Sequence, residues 1–178
     1  SLWLFASTVR GRGAKGKRLT EGDKDCAPAW SPDGRYVAFT AKRKDDAEPQ
    51  VYLIAPDGGE ARRLTTLSTG TSAIKWFADG RRLAFVSWVW PELRGDAAQK
   101  KRIDARKADP VKAFVTERAE YRYWDHWLAD GREPHLFVVD VASGACRDLL
   151  AGTGLRLRPW EPEAAEYDIA PDGTEIAL

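Results

Sequence analysis

A ten-residue phrase occurs twice in this chain at a spacing of 46 residues, first as Trp30-Ser31-Pro32-Asp33-Gly34-Arg35-Tyr36-Val37-Ala38-Phe39 and again as Trp76-Phe77-Ala78-Asp79-Gly80-Arg81-Arg82-Leu83-Ala84-Phe85. Each copy reads as a β-hairpin. Pro32 presets the first corner of the turn, Asp33 can bond its own main chain two residues on, and Gly34 accepts the left-handed conformation that closes it. The apolar run that follows is the return strand. A third copy, Ile169-Ala170-Pro171-Asp172-Gly173-Thr174-Glu175-Ile176-Ala177-Leu178, ends inside the phrase, so the sequence reads as a set of repeats cut off in mid-unit.

The rest of the repeat follows from what trails each hairpin. Aromatic-apolar strands at Leu2 to Phe5, Val51 to Ile54 and Leu136 to Val139 each precede a short segment of the type Arg18-Leu19-Thr20, Arg63-Leu64-Thr65 or Asp148-Leu149-Leu150. The unit is therefore a four-strand antiparallel meander, and its length matches the roughly 40 to 50 residue period of propeller blades. The fold expected is all-β: a partial β-propeller of four-stranded blades with a helical insertion. Over residues 1–178 the inventory is half a blade to about 22, a full blade from about 26 to 68, an expanded blade from about 72 to 152, and the opening hairpin of another. These three blade equivalents fall short of the four or more that close a propeller, so edge strands and apolar faces are expected to need further blades.

The expanded blade carries an aromatic-rich insertion over residues 88–133. Asp96 suits the N-cap of a helix running through Lys107, and Asp109-Pro110 suits the start of a second helix to about Ala119, with Val111, Phe114 and Val115 on one face. The basic group Lys100-Lys101-Arg102 with Arg106-Lys107 is interleaved with Asp96, Asp104 and Asp109, which reads as a solvated helical face. Beyond it lies Tyr121-Arg122-Tyr123-Trp124-Asp125-His126-Trp127, the densest aromatic and charged segment of the chain.

Composition removes several classes of function. Twenty-eight basic against 27 acidic residues leave no global field to recruit nucleic acid or an anionic membrane. No apolar run is long enough to span a bilayer, and Ser1 to Thr8 lack the pattern of a signal peptide. With no methionine, the sequence reads as an internal fragment or a processed product. Cys26 and Cys146 stand far apart without metal-ligand spacing, and neither His126 nor His135 has a partner suited to a metal site. Gly11, Gly13 and Gly16 spell a dinucleotide fingerprint, but no helix is expected after them to hold a pyrophosphate, so they read as a hairpin loop. There is no P-loop, no G-x-S-x-G elbow and no complete catalytic constellation. No cofactor and no metal are expected.

Trp30-Ser31-Pro32-Asp33-Gly34 with Ala38-Phe39 resembles the blades of the propeller domains in the prolyl oligopeptidase family of serine peptidases, and also those of the periplasmic propeller of the Tol system. Asp109-Pro110-Val111-Lys112-Ala113, the segment from Tyr121 to Trp127, Asp130-Gly131-Arg132 and His135-Leu136-Phe137-Val138 resemble bacterial acylaminoacyl-peptidase and dipeptidyl-peptidase members of that family. The resemblance implies a parent serine peptidase whose separate α/β-hydrolase domain holds the triad. This segment would then gate access for a peptide substrate, with no nucleic-acid or membrane partner. It further implies that the insertion reaches the substrate's amino end. Glu117 and Glu120 are the candidate acidic groups, Arg122 and Asp125 would orient them, and Tyr123, Trp124 and Trp127 would wall the pocket. A protonated α-amine, with a reference pKa of about 8, is a fitting ligand for carboxylates in a partly dehydrated pocket. The plainer alternative is a solvent-facing Glu117–Glu120 pair, an Arg122–Asp125 ion pair that pins the loop, and tryptophans that pack the insertion on its blade. The alternative function is a non-enzymatic protein-binding propeller of the Tol type. The compartment, cytoplasmic or periplasmic, is not encoded in these features.

Overall fold

The computed structural model describes residues 1–7, 16–111, 122–123, 126–127, 130–158, 160 and 162–178, with the two pairs 122–123 and 126–127 described by their backbone. Glu117, Glu120, Trp124 and Asp125 of the expected substrate-binding set lie outside the described residues. So does the second helix expected after Asp109.

The described residues form five antiparallel sheets in chain order. β1 (Trp3–Leu4) pairs with β2 (Lys17–Arg18). The first complete blade is β3 (Cys26–Trp30), β4 (Val37–Ala41), β5 (Gln50–Ile54) and β6 (Arg62–Arg63), laid side by side in that order. The second is β7 (Ser72–Trp76), β8 (Arg82–Val89), β11 (Glu133–Asp140) and β12 (Cys146–Asp148), again in sequence order. Between β8 and β11 stand helix α1 (Asp96–Ala108) and the short hairpin of β9 (Arg122–Tyr123) and β10 (His126–Trp127). A last hairpin pairs β13 (Asp168–Ile169) with β14 (Ile176–Ala177).

The repeated phrase folds as its residues dictate. In the first blade Gly34 has φ 71° and donates its N–H to the Ser31 carbonyl at 2.9 Å, while Asp33 Oδ1 accepts the Arg35 N–H at 3.0 Å. The Ser31 hydroxyl donates to the same Asp33 oxygen at 2.7 Å, and this bond, the Arg35 N–H and the Arg35 guanidinium together pull the Asp33 pKa down to about 2. Gly80 (φ 64°) and Asp79 repeat the geometry, as do Gly173 (φ 69°) and Asp172.

Because side chains alternate across a strand, each blade offers one face to the blade before it and the other to the blade after. Val37, Phe39 and Ala41 pack with Leu2 and Leu19 of the first half-blade, whereas Ala38 turns the other way, against Trp76, Phe85 and Phe137. The second blade sends Ala84, Val86 and Leu136 against Tyr167 and Ile169 of the last hairpin. Each seam is thus a slab of apolar side chains between sheets. Both faces of β4 and β5 are buried, which is why those strands read as unbroken apolar runs.

Polar groups pin the layers. Buried Asp46 accepts the Tyr52 hydroxyl at 2.7 Å, the Arg43 N–H at 3.0 Å and the Arg63 guanidinium at 2.8 Å. Burial opposes ionisation of Asp46, but these three donors prevail and hold its carboxyl below the ordinary range. Burial, together with that carboxylate, pushes Tyr52 up to about 12. Across the seam between the complete blades, Trp76 Nε1 donates to the Ala29 carbonyl at 3.0 Å.

Helix α1 begins one residue earlier than expected. Gly95 occupies the N-cap, Asp96 is the first helical residue, and the Asp96 carboxylate accepts the N–H and hydroxyl of Ser68 at 2.7 and 2.9 Å. Asp96 therefore docks the helix on the loop between the two blades.

Candidate functional site

The first strands of the two complete blades carry the same irregularity at the same place. Pairing slips between Cys26 and Ala29 in β3 and between Ser72 and Lys75 in β7. Within each slip an alanine takes the left-handed conformation, Ala27 at φ 49° and Ala73 at φ 50°. Each costs roughly 1 kcal/mol against a regular strand residue. Bulges of this kind bend a strand and re-aim its side chains. Here both alanines face one cleft of ≈ 850 Å³ at the end of the blades. Its charged groups are Glu48, Asp130, Arg132 and Glu163, and buried Ser87 and the Thr69–Thr71 loop close its floor.

Asp130 and Arg132 come from the point where the insertion returns to the blade. They repeat the Asp-Gly-Arg turn: Gly131 has φ 78°, and Asp130 accepts the Arg132 N–H at 2.9 Å and its Nε at 2.5 Å. Trp90, at the point where the insertion leaves, donates Nε1 to the Asp130 carbonyl at 2.9 Å, and Arg106 of α1 donates to the same oxygen at 3.1 Å. Gln99, the one described residue of α1 that is buried, bonds the Trp90 N–H and carbonyl at 3.0 and 2.9 Å. Three guanidinium groups surround the Trp90 ring, those of Arg102, Arg106 and Arg132 at 5.0, 5.8 and 5.6 Å from its centroid. The ring's negative faces favour that arrangement. The root of the insertion is stitched shut, and the charged wall of the cleft is fixed to it.

A serine, a histidine and an aspartate come together on three neighbouring strands of the second blade. Ser87 lies opposite His135, whose Nδ1 is 2.8 Å from Asp148 Oδ2. The Ser87 hydroxyl, however, donates to the Gly70 carbonyl at 2.6 Å and lies 2.7 Å from the Thr69 hydroxyl. Ser87 and His135 are both buried. The three residues tie strands and loop together, and a nucleophile needs a hydroxyl within reach of its base and of substrate. Among the described residues no group of three His, Cys, Asp or Glu is placed to hold a metal ion, and no helix is long and apolar enough to cross a membrane.

Of the expected site residues, the backbone places Arg122 opposite Trp127 and Tyr123 opposite His126 across the β9–β10 pair. Sequence reading passed over Ala27, Ala73, Glu48, Gln99 and Glu163. Alanine carries no mark of a positive φ, and Gln99 lies on a helix face whose charge pattern looks fully solvated. Asp130 and Arg132 did carry a signal, the third Asp-Gly-Arg.

Two complete antiparallel blades, flanked by halves of two more and joined through apolar seams, define a partial β-propeller. No family model matches the chain. It is 30% identical over 175 residues to dipeptidyl-peptidase 5 of Porphyromonas endodontalis, covering 95% of this chain and 24% of that protein. It is also 30% identical over 150 residues to the uncharacterized peptidase YuxL of Bacillus subtilis, covering 84% of this chain and 21% of that one. The chain thus spans less than a quarter of the length of these curated relatives. Acylaminoacyl peptidase of Pyrococcus horikoshii superposes with a TM-score of 0.52 at 17% identity over 75% of this chain and 18% of that one. TolB of Acinetobacter baumannii gives 0.51 at 15% identity over 91% and 28%. At such identities the two structures show the shared propeller fold alone. The sequence relatives go further: along nearly its whole length the chain is similar to a segment of dipeptidyl-peptidase 5.

Proposed function

We propose that this chain is the non-catalytic propeller segment of a serine peptidase that acts on short peptides, gating their access to an α/β-hydrolase domain of the same parent protein. The observation that supports this reading best is kinship with dipeptidyl-peptidase 5 along 95% of the chain. The described residues fit an accessory role, since Ser87, His135 and Asp148 are spent on holding the second blade together. The cleft at the blade ends, with Glu48, Asp130 and Glu163 on its walls, opens beside the root of the insertion.

In this reading the insertion takes the amino end of the peptide. Glu117 and Glu120 bind the ammonium group, Arg122 and Asp125 orient them, and Tyr123, Trp124 and Trp127 exclude water. The test is to assay the full-length parent on chromogenic dipeptides with free and with blocked amino termini. Hydrolysis of the free-amine substrates is expected, with Glu117→Ala or Glu120→Ala raising KM about tenfold or more and changing kcat little, as loss of uniform binding does. Equal or better turnover of blocked substrates would remove the two glutamates as amine ligands. A parent without hydrolase activity would return the chain to a protein-binding propeller.

A further inference from the structure

The left-handed alanines are not a fixed feature of the repeated unit. In register, Ala29 and Lys75 of the complete blades correspond to Asp168 of the last hairpin, so Ala27 and Ala73 correspond to Glu166. There the chain makes a short 3-10 turn, Ala164–Glu166, in place of a bulge. Among the described residues an alanine at positive φ therefore stands only in the two units whose first strands border the cleft. Costly backbone conformations persist where the surrounding structure enforces them, and they gather at ligand clamps. A bulge also takes its extra residue out of the ladder. β3 and β7 each stand at one end of their sheet, and the main chain at Ala27-Pro28 and Ala73-Ile74 borders the cleft.

The lining sets the size and charge of what fits. At ≈ 850 Å³ the cleft lies within the roughly 300–1,000 Å³ of sites that enclose drug-sized ligands, room for a short run of peptide and far more than one ion needs. Ala29, Gly70, Ser72 and Ala164 keep it open, while Ile74 and Val86 supply apolar wall. Its charged groups do not cancel. Asp130 is held by Arg132 Nε at 2.5 Å, and Arg106 lies 4.0 Å from the same oxygen. Among the described residues no cation pairs with the carboxylate of Glu48 or Glu163. The excess charge is negative and lies beside apolar surface. A lysine or arginine side chain is built to match, with an apolar stem and a cationic head.

We infer that the cleft binds an extended peptide segment and seats one of its lysine or arginine side chains, the cationic head at Glu48 and Glu163. The stem lies on Ile74 and Val86. The peptide main chain follows the bulged edges of β3 and β7, as a peptide added to a sheet edge does. The Asp130–Arg132 pair, neutral as a unit, borders the seat without competing for the cation. This seat is separate from the hold on an amino terminus assigned above to the insertion, and it stands whether or not the parent hydrolyses what it binds.

The test is peptide binding to the full-length parent, treated with a fluorophosphonate to silence any hydrolase serine and read by titration calorimetry. The probes are Ala-Ala-Lys-Ala-Ala, blocked at both ends, and the same peptide with norleucine for lysine. The lysine peptide is expected to bind more tightly by about tenfold or more, the scale of a hydrogen bond to a charged group. Glu48→Gln with Glu163→Gln keeps the shape of the cleft and is expected to remove that preference. The norleucine peptide should bind this variant as it binds the parent, which also reports an intact fold. Ala164→Trp, filling the cleft, is expected to abolish binding of both peptides. A norleucine peptide with a free amino terminus separates the two sources of an ammonium group. Tight binding of it that both Gln substitutions remove would assign the carboxylates to an amino end and overturn the side-chain seat. Equal affinity of the blocked lysine and norleucine peptides, a lysine preference that survives the Gln pair, or no binding of either peptide would overturn it too.

Discussion

Gln99 closes its side-chain amide on the main chain of Trp90, accepting the Trp90 N–H at 3.0 Å and donating to the Trp90 carbonyl at 2.9 Å. The two residues are nine apart in sequence and both are buried. β8 ends at Val89, so this amide takes the place of the next strand partner and converts the end of a sheet into the seat of a helix. Gln99→Leu keeps the shape and leaves two buried main-chain groups without partners, at about 1–3 kcal/mol for each. Exchange of the Trp90 amide proton should quicken by on the order of 10²-fold or more, since each tenfold corresponds to about 1.4 kcal/mol. Unchanged exchange would mean that the helix is not what protects this position.

The Asp46 cluster sets the response to acid. Asp46 ionises more readily in the folded chain than in the unfolded one, where an aspartate has a pKa of about 3.9. Its contribution to stability is therefore complete above that value and is lost as pH falls through the lower folded value. Asp46→Asn should lower stability at neutral pH by about 1–3 kcal/mol, the scale of a charge-assisted hydrogen-bond set. It should also flatten the decline below pH about 4. Tyr52 acts at the other limit: raised to about 12, it keeps its proton when an unfolded tyrosine has lost its own, so stability falls as pH rises from about 10 toward that value. Urea titrations at a series of pH values read both limits.

Much of the fold was legible because its determinants are local. The Asp33-Gly34 and Asp79-Gly80 turns follow from side chains bonding main chain two residues away. β4 and β5 follow from burial on both faces. Helix α1 was placed to within a residue at each end, yet the role of Asp96 was not, because its partner Ser68 lies 28 residues earlier and in another blade unit. The cleft was illegible for the same reason. It arises where separate units meet, its two left-handed positions are alanines, and its charged wall is set by a glutamine reaching a backbone.

The two thiols should differ in reactivity. Burial, with a lesser contribution from the charge of Asp96, pushes the Cys146 thiol up to about 11, whereas Cys26 lies exposed. The thiolate is the reactive form. Iodoacetamide at pH 8 is expected to alkylate Cys26 first and Cys146 at least tenfold more slowly, and peptide mass mapping at timed quenches would show it. Comparable rates at the two sites would place Cys146 in a more open setting than the packing beside Leu64 and Phe137 allows.

Left-handed positions give opposite signs for the same pair of residues. Gly34 has φ 71° and nothing within 4 Å of where a Cβ would stand, so Gly34→Ala meets no obstacle except the backbone itself. The cost should be about 1 kcal/mol, the penalty of a Cβ in the left-handed region. Ala73 already bears that penalty at φ 50°. Ala73→Gly should relieve it and leave stability unchanged or raised by up to about 1 kcal/mol, against the extra freedom that glycine gives the unfolded chain. In regular β4 the same change, Ala38→Gly, should cost about 0.5–1 kcal/mol, plus whatever packing its methyl supplies against the second blade. Thermal unfolding of the three variants decides the matter by sign. A loss at Ala73 as large as at Ala38 would show that the bulge holds no strain for glycine to release.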